Sequence, residues 1–327
     1  MPLISIITPT YNHQDFIGEC IRSALAQTFQ DWEQIIIDDG SQDDTPLVID
    51  SFEDPRIKNI RQPNAGRFAL ADTYAKALNL AQGEFVALLE GDDYWSSNAL
   101  AHLLPGFTDP AVVVSYGITQ VVDSRGSPID QRIPGYTYLK QIDAGTLVNQ
   151  PVGRATRALL GGATLAFPCS ALLRRTAIDE IGGLQSVADR HAVDFATFLE
   201  MSLLGSFYFT PSVVGYWRRH GEAAGMSPDV LSLYRSNYEY VTQFALKYAE
   251  RLRLSEKDHA AIEKHWRSVW PNIHLTMGKQ LLTNHAWQRA RNEFIEALKT
   301  STSMKQVLMS MMGAGFAAIH LDPTRRI

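Results

Sequence analysis

The sequence predicts an α/β fold, a mostly parallel sheet flanked by helices, followed by a helical C-terminal region. Two observations carry this. Between residues 3 and 95, short apolar runs of strand character alternate with segments whose apolar residues recur at helical spacing. That alternation is the pattern of a parallel sheet covered on both faces. From Ser227 onward it gives way to long helical periodicity. A boundary near 225 therefore separates a sheet domain, 1–225, from a helical domain or arm, 226–327, and a chain of 327 residues has room for both.

Leu3-Ile4-Ser5-Ile6-Ile7 is the first strand, apolar as central parallel strands are. Thr8-Pro9-Thr10-Tyr11-Asn12 is a loop by its Pro and Asn. A helix follows, with Asp15 as its cap and Phe16, Ile17, Cys20, Ile21, Ala24 and Leu25 on one face. Trp32 to Ile37 is the second strand and ends in Asp38-Asp39-Gly40-Ser41. Leu47, Val48, Ile49 and Phe52 mark a helix, and Ile57 to Ile60 a short strand. The spacing over 67–81 predicts a longer helix with Phe68, Ala71, Tyr74, Ala75, Leu78 and Ala81 inward. Phe85 to Leu89 is the next strand, and it stops in Glu90-Gly91-Asp92-Asp93.

Beyond Leu104 the pattern loosens. Val112 to Tyr116 and Gly117 to Val122 are two strands before a turn at Ser124-Arg125-Gly126. Residues 130–165 are punctuated by Gly and Pro and give no assignment. Ser170 to Arg174 is a strand, and Thr176 to Ile181 a short helix closed by Gly182-Gly183. Ala192 to Leu204 is a helix opening near Asp194, and Phe207 to Phe209 and Val213 to Arg218 are strands. In the C-terminal region, Leu233, Tyr234, Tyr238, Val241, Phe244, Ala245 and Tyr248 form one apolar stripe, and Trp287, Ala290, Phe294, Ala297 and Leu298 another. Both are read as core. The longest apolar run, Val307 to Leu321, falls short of the ~18–20 residues that cross a bilayer. A buried helix is the favoured reading, over one lying on a membrane surface.

Composition excludes some classes. With 45% hydrophobic and 20% charged residues the chain is globular, and a net charge of -5 provides no global field for nucleic acid. The basic run Arg218-Arg219-His220 is too short to change that. Cys20 and Cys169 have no metal-ligand spacing and read as reduced core residues, which suits a cytoplasmic protein. The N-terminus has no signal-peptide pattern, since strand residues begin at Leu3.

The chemistry concentrates at Glu90-Gly91-Asp92-Asp93. Three carboxylates within four residues repel one another, and ionising all of them is costly without a cation between them. Mg²⁺ and Mn²⁺ take such oxygen ligands. The competing reading is a polar turn that caps the next helix. Asp38-Asp39 also falls at a strand's carboxyl end, on the rim where open α/β sheets build their sites.

Three ordered segments, Ser5 to Asn12, Ile36 to Ser41 and Leu89 to Asp93, resemble the glycosyltransferases of family 2, which have the GT-A fold. The resemblance spans residues 3–220. It implies an inverting hexosyltransferase that moves a sugar from a nucleotide-diphosphate donor, UDP by family habit, to an acceptor hydroxyl of a glycan, lipid-linked or protein acceptor in polysaccharide biosynthesis. It also implies roles. Thr8, Pro9, Thr10, Tyr11 and Asn12 would line the nucleotide pocket, and Asp39 would accept from the base. Gly66 and Arg67, in Asn64-Ala65-Gly66-Arg67, would close over the nucleotide, with Arg67 equally a solvent-facing helix residue. Asp92 and Asp93 match the acidic motif, with Asp93 as ligand of a divalent cation, Mn²⁺ or Mg²⁺. His220 would reach that metal or the diphosphate, or be a surface histidine. Asp194 would be the catalytic base. The sequence departs from the family at Glu90, often Asp, and at Val193, where many members carry a second acid.

Two rivals remain. A sugar nucleotidyltransferase would carry a Gly-rich loop after the first strand, and here that loop has no glycine. A catalytically silent nucleotide-sugar-binding subunit is countered by the retained Asp39, Asp92, Asp93 and Asp194. The C-terminal helices are expected to mediate homodimerisation, to contact the inner face of the membrane peripherally, or simply to extend the fold.

Overall fold

The computed structural model describes residues 1–129, 139–187, 192–220 and 230–320. It divides into two compact units, Met1–Ser227 and Pro228–Ile327.

In the first unit every residue of β1 (Ile4–Thr10) is buried, because the strand is flanked on both sides. Parallel partners β2 (Trp32–Asp38) and β4 (Phe85–Leu88) lie on either side of it, and β3 (Ile57–Arg61) forms the exposed edge beyond β2. On the other side run β7 (Ala171–Arg174), β6 (Val112–Asp123), β8 (Ser206–Arg219) and β5 (Tyr94–Trp95), giving the order β3-β2-β1-β4-β7-β6-β8-β5. The pairs β4–β7, β7–β6 and β8–β5 are antiparallel and β6–β8 is parallel, so the sheet is mixed.

β6 and β8 are each one strand where the sequence predicts two. Gly117 and Pro211 read as breaks, but the pair absorbs them in register shifts around Tyr116 and Ile118. Gly117 is required there, since a Cβ would lie 2.8 Å from Val214 and 2.9 Å from the Ser212 carbonyl.

α1 (Ile17–Leu25) buries Ile17, Cys20, Ile21 and Ala24 as its spacing predicts, but Asp15 is exposed and does not cap it; Phe16 is the N-cap residue, without a side-chain bond. α2 (Thr45–Asp50) leaves Leu47 exposed. Arg67–Ala69 form a 3₁₀ turn before α3 (Leu70–Leu80), which rotates Phe68 out of the buried stripe. Ala75 faces solvent too, because the stripe runs through Thr73, Tyr74 and Ala77 instead. α4 (Ala99–Leu103), α5 (Ala144–Leu147), α6 (Arg154–Leu160), α7 (Arg175–Glu180) and α8 (Asp194–Met201) complete this unit, two of them in the stretch that the sequence left unassigned. Positive φ at Gly182 and Gly183 ends α7.

The second unit contains α9 (Val230–Lys247), α10 (Ala249–Leu252), α11 (Glu256–Thr283), α12 (Trp287–Thr300) and α13 (Met304–Ala318). A reciprocal Ser255–Asp258 capping box opens α11. Val241, Phe244 and Ala245 are buried as predicted, while the side chain of Leu233 lies outside the described residues. Leu275, Leu282, Ala290, Phe294, Ala297 and Ala317 form a core. The Phe294 ring sits where Cβ atoms on Gly278 and Gly313 would be, so both glycines are there for its sake. The favoured burial of the Val307–Leu321 run, of which Leu321 lies outside the described residues, holds on one face only. α13 buries Gln306, Ser310, Gly313 and Ala317 and turns most of its large apolar side chains outward. Among the described residues no helix is long and apolar enough to cross a membrane.

Candidate functional site

The site grows from the carboxyl end of β1. Beyond the paired strands, Pro9 O accepts from Gly91 N–H at 3.0 Å and Thr10 O from Asp39 N–H at 2.9 Å. Both acidic segments are thereby held against one strand end. The approach at Gly91 leaves no room for a side chain, since a Cβ would lie 2.5 Å from Thr10 Oγ1 and 3.0 Å from His13 Nδ1.

Two groups of candidate ligands share Asp92. Glu90, Asp92 and Asp93 form one, and His13, Asp92 and His220 the other, with the ligand atoms of each group within 4.8 Å of one another. Asp92 Oδ2 lies 3.0 Å from His220 Nε2. Thr10 Oγ1 and His13 Nδ1 are 3.2 Å apart, and the His220 ring packs on Phe16 with centroids 4.6 Å apart. The sequence reading missed His13. Its only signal was an imidazole three residues beyond Thr10, in the loop facing the acidic motif.

The sequence reading places Arg218 at the end of a strand and in a short basic run; it is 2% exposed. Its Nε donates to Asp92 O at 2.9 Å, one terminal nitrogen donates to Ser124 O at 3.1 Å, and the other pairs with Glu19. Its backbone N–H donates to Asp93 Oδ1 at 2.8 Å. The guanidinium lies 5.0 Å from the ring centroids of both Phe16 and Tyr94. Arg218 thus clamps the Asp92-Asp93 turn from below, between two rings.

The carboxylates are set apart electrostatically. Burial and the Asp92 charge push the Glu90 carboxyl up to about 8, against the hydrogen bond it accepts from Tyr74 Oη at 2.9 Å. Burial, Asp92 and Glu90 raise Asp93 as well. Burial also acts on Asp92, but the His220 hydrogen bond and the nearby charges of His13 and His220 outweigh it and hold its carboxyl low. Burial raises Asp194, the first residue of α8, against hydrogen bonds from two backbone N–H groups, and its charge reaches Glu90 and Tyr74. Glu90 and Asp93, which resist ionisation, and Asp92, which is held ionised, lie beside two imidazoles and form an oxygen–nitrogen donor set that fits a divalent cation such as Mn²⁺.

The other predicted residues surround this rim. Thr8 and Pro9 are buried within β1, with Thr8 Oγ1 accepting from Gln34, and Thr10 is 3% exposed. Tyr11 is exposed. Asn12 has a φ of 52° and ties the loop to the Asp39 segment, accepting from Gln42 N–H at 2.8 Å and donating its own N–H to Ser41 Oγ at 2.9 Å. Asp39 Oδ1 accepts from Gln62 at 2.7 Å and from Ala65 N–H at 3.1 Å, so it orders the segment leading to Gly66. Gly66 has a φ of 78°, and a Cβ there would meet Asn64 Oδ1 at an ordinary 3.9 Å. The side chain of Arg67 lies outside the described residues.

A family model described as Glycosyl transferase family 2 matches residues 5–182. The chain is 34% identical over 122 residues, 37% of its length, to a UDP-Glc:alpha-D-GlcNAc-diphosphoundecaprenol beta-1,3-glucosyltransferase of Escherichia coli, WfgD, covering 47% of that protein. It is 29% identical over 225 residues, 68% of its length, to an E. coli chondroitin synthase, covering 30% of it. A Bacillus subtilis (strain 168) relative named for teichuronic acid biosynthesis, TuaG, is 34% identical over 157 residues, 47% of the chain and 61% of that relative. The chain thus spans less than two thirds of the length of these three relatives. Among solved structures, S. aureus TarS 1-349 in complex with UDP superposes with a TM-score of 0.55 at 19% identity, covering 98% of this chain and 88% of that one. The Pyrobaculum calidifontis mannosyltransferase PcManGT, solved with GDP-Man and Mn2+, gives 0.52 at 17% identity, covering 97% and 81%. These likenesses establish the fold.

Proposed function

Since the chain belongs to glycosyl transferase family 2 and has a GT-A-type fold, we propose that it is a metal-dependent, inverting glycosyltransferase acting in polysaccharide biosynthesis. We assign it a UDP-sugar as donor and a sugar hydroxyl on a glycan or lipid-linked saccharide as acceptor. The observation that carries this is the pair of ligand groups sharing Asp92 at the end of β1. Names of relatives support the finer points: a UDP complex for one structural neighbour, Mn2+ for another, and a diphosphoundecaprenol-linked acceptor for the glucosyltransferase.

In this reading Asp92 would hold a divalent cation, together with Asp93 from one of its two ligand groups or with His220 and His13 from the other. When bound, the cation supplies charge neutralisation to the departing nucleoside diphosphate. The protein's residues do the rest. Arg218 fixes the Asp92-Asp93 turn, and Asp39 and Asn12 order the loops around the nucleotide. Gly66 lets backbone approach it closely. Asp194 takes the proton of the acceptor hydroxyl as it attacks the anomeric carbon on the face opposite the leaving group. Burial raises the affinity of that carboxylate for a proton, which suits a base working near neutral pH.

The test is transfer itself. A panel of nucleotide sugars is incubated with Mn²⁺ and sugar-diphosphate-lipid acceptors, and nucleoside diphosphate release and product mass are followed. One UDP-sugar is expected to give a glycosylated product. Tight nucleotide binding without product from any donor–acceptor pair would favour a silent binding subunit.

A further inference from the structure

We propose that α13 docks the protein on an anionic phospholipid bilayer through the apolar face that it turns to solvent. An ordinary surface helix packs its apolar stripe inward. In α13 the fully buried positions are Gln306, Ser310, Gly313 and Ala317, with Met309, Ala314 and Phe316 packed at the margin of the core. Gln306 donates to Ser268 O and to Asn272 Oδ1, both at 3.1 Å, and Ser310 donates to Gln306 O at 2.8 Å. Gly313 meets the ring of Phe294. The opposite face carries Met304, Leu308, Met311, Met312 and Ile319, exposed by 81%, 60%, 59%, 51% and 70%. With Gly315 and Ala318 they occupy an arc of roughly 120°, at 3.6 residues per turn. Lys305, also exposed, lies at its edge. Single exposed apolar residues need no explanation, but a continuous stripe does.

Charge selects the occupant. Residues 228–327 hold 14 Lys and Arg against 9 Asp and Glu, a net of +5, whereas residues 1–227 hold 16 against 26, a net of -10. A face-to-face pair of copies would bring two cationic units together. An anionic surface instead attracts such a unit. The 15 residues of α13 are too short to cross a bilayer, so the helix lies in the interface with its stripe in the acyl boundary. Unbranched methionines adapt to a fluid partner. This inference is independent of the proposed catalysis.

The test is co-sedimentation of the full chain with vesicles of phosphatidylcholine alone and with 30% phosphatidylglycerol. Binding to the anionic vesicles is expected, at least tenfold weaker to neutral ones. The pair Leu308→Glu and Met311→Glu should lower it at least tenfold at unchanged melting temperature. A milder pair, Met304→Gln and Leu308→Gln, should lower it in the same sense, so the proposal stays testable if the first pair misfolds. No binding to anionic vesicles, equal binding to neutral ones, or undiminished binding by a folded variant overturns the proposal. A dimer in sedimentation velocity that these substitutions dissolve would also overturn it, assigning the face to a second copy.

Discussion

Replacing Arg218 with Met tests how the acidic turn is held. The Arg218 side chain is 2% exposed, and Met keeps much of its stem volume while removing the guanidinium. The carbonyls of Asp92 and Ser124 then lose their donor, as the 2.9 and 3.1 Å bonds show. The Asp92 carbonyl is buried, and an acceptor left there without a partner costs about 1–3 kcal/mol, whereas Ser124 is exposed and water can replace its donor. The Glu19 partner is 47% exposed, so that pair adds at most about 1 kcal/mol. Relief from burying the guanidinium offsets part of this, leaving about 1–3 kcal/mol. For a unit of this size each kcal/mol moves the melting temperature by about 2–4 °C, so a fall of roughly 2–12 °C is expected in near-UV circular dichroism. Mn²⁺-dependent nucleotide affinity should fall as well, because the turn carries Asp92 and Asp93. Arg218→Lys keeps the charge but not the fork, and should recover less than half of the loss. A melting temperature within about 1 °C of the parent, with unchanged nucleotide affinity, would refute the clamp.

The remaining predictions concern chemistry, packing and pH. Asp194→Asn should leave donor binding intact and lower turnover by ~10²–10⁴-fold, the usual contribution of a general base; an unaffected rate moves the base elsewhere. Because burial raises the Asp194 carboxyl and the base must be ionised, kcat/KM in the parent should rise with pH through that elevated pKa. A flat profile in the acid range would contradict this. Gly91→Ala puts a methyl group 2.5 Å from Thr10 Oγ1 and 2.8 Å from Thr10 Cβ. Metal-dependent nucleotide binding should weaken at least tenfold, and parent-like titrations would show that the rim can yield. Glu33 is buried, and although burial opposes it, bonds from Lys58, Ser5 and the Gln82 N–H lower its carboxyl. A depressed folded pKa gives stability that is present above the unfolded value, ~4.3, and lost as pH falls through the folded one. Glu33→Gln should therefore lower the melting temperature more at pH 7 than at pH 3, and equal shifts would disprove the linkage.

β1, β2 and β4 were legible because every residue in them is buried, and β2 and β4 lead directly into the acidic segments. The sheet's second half was not. Gly117 and Pro211 look like breaks locally, and only the partner strand shows that β6 and β8 continue through them. Asp39, Asp92, Asp93 and Asp194 stood out as acids at strand ends or at a helix start. Arg218 did not, since a long cation followed by a second cation and a histidine looks solvated until Asp92, Ser124 and Glu19 are seen around it. The apolar run Val307–Leu321 pointed to a helix but not to its orientation. Which face is inside was decided by Phe294, whose ring needs Gly313 beneath it.

The central claim is that the rim at the end of β1 binds a nucleoside diphosphate together with a divalent cation. Titrating UDP into the protein by calorimetry, with Mn²⁺ and then with chelator, for the parent and for Asp93→Ala, tests it most directly. Tight binding that needs Mn²⁺ and disappears in Asp93→Ala is the predicted result. Folded parent protein that binds no UDP, or binds it equally with chelator, would contradict the account.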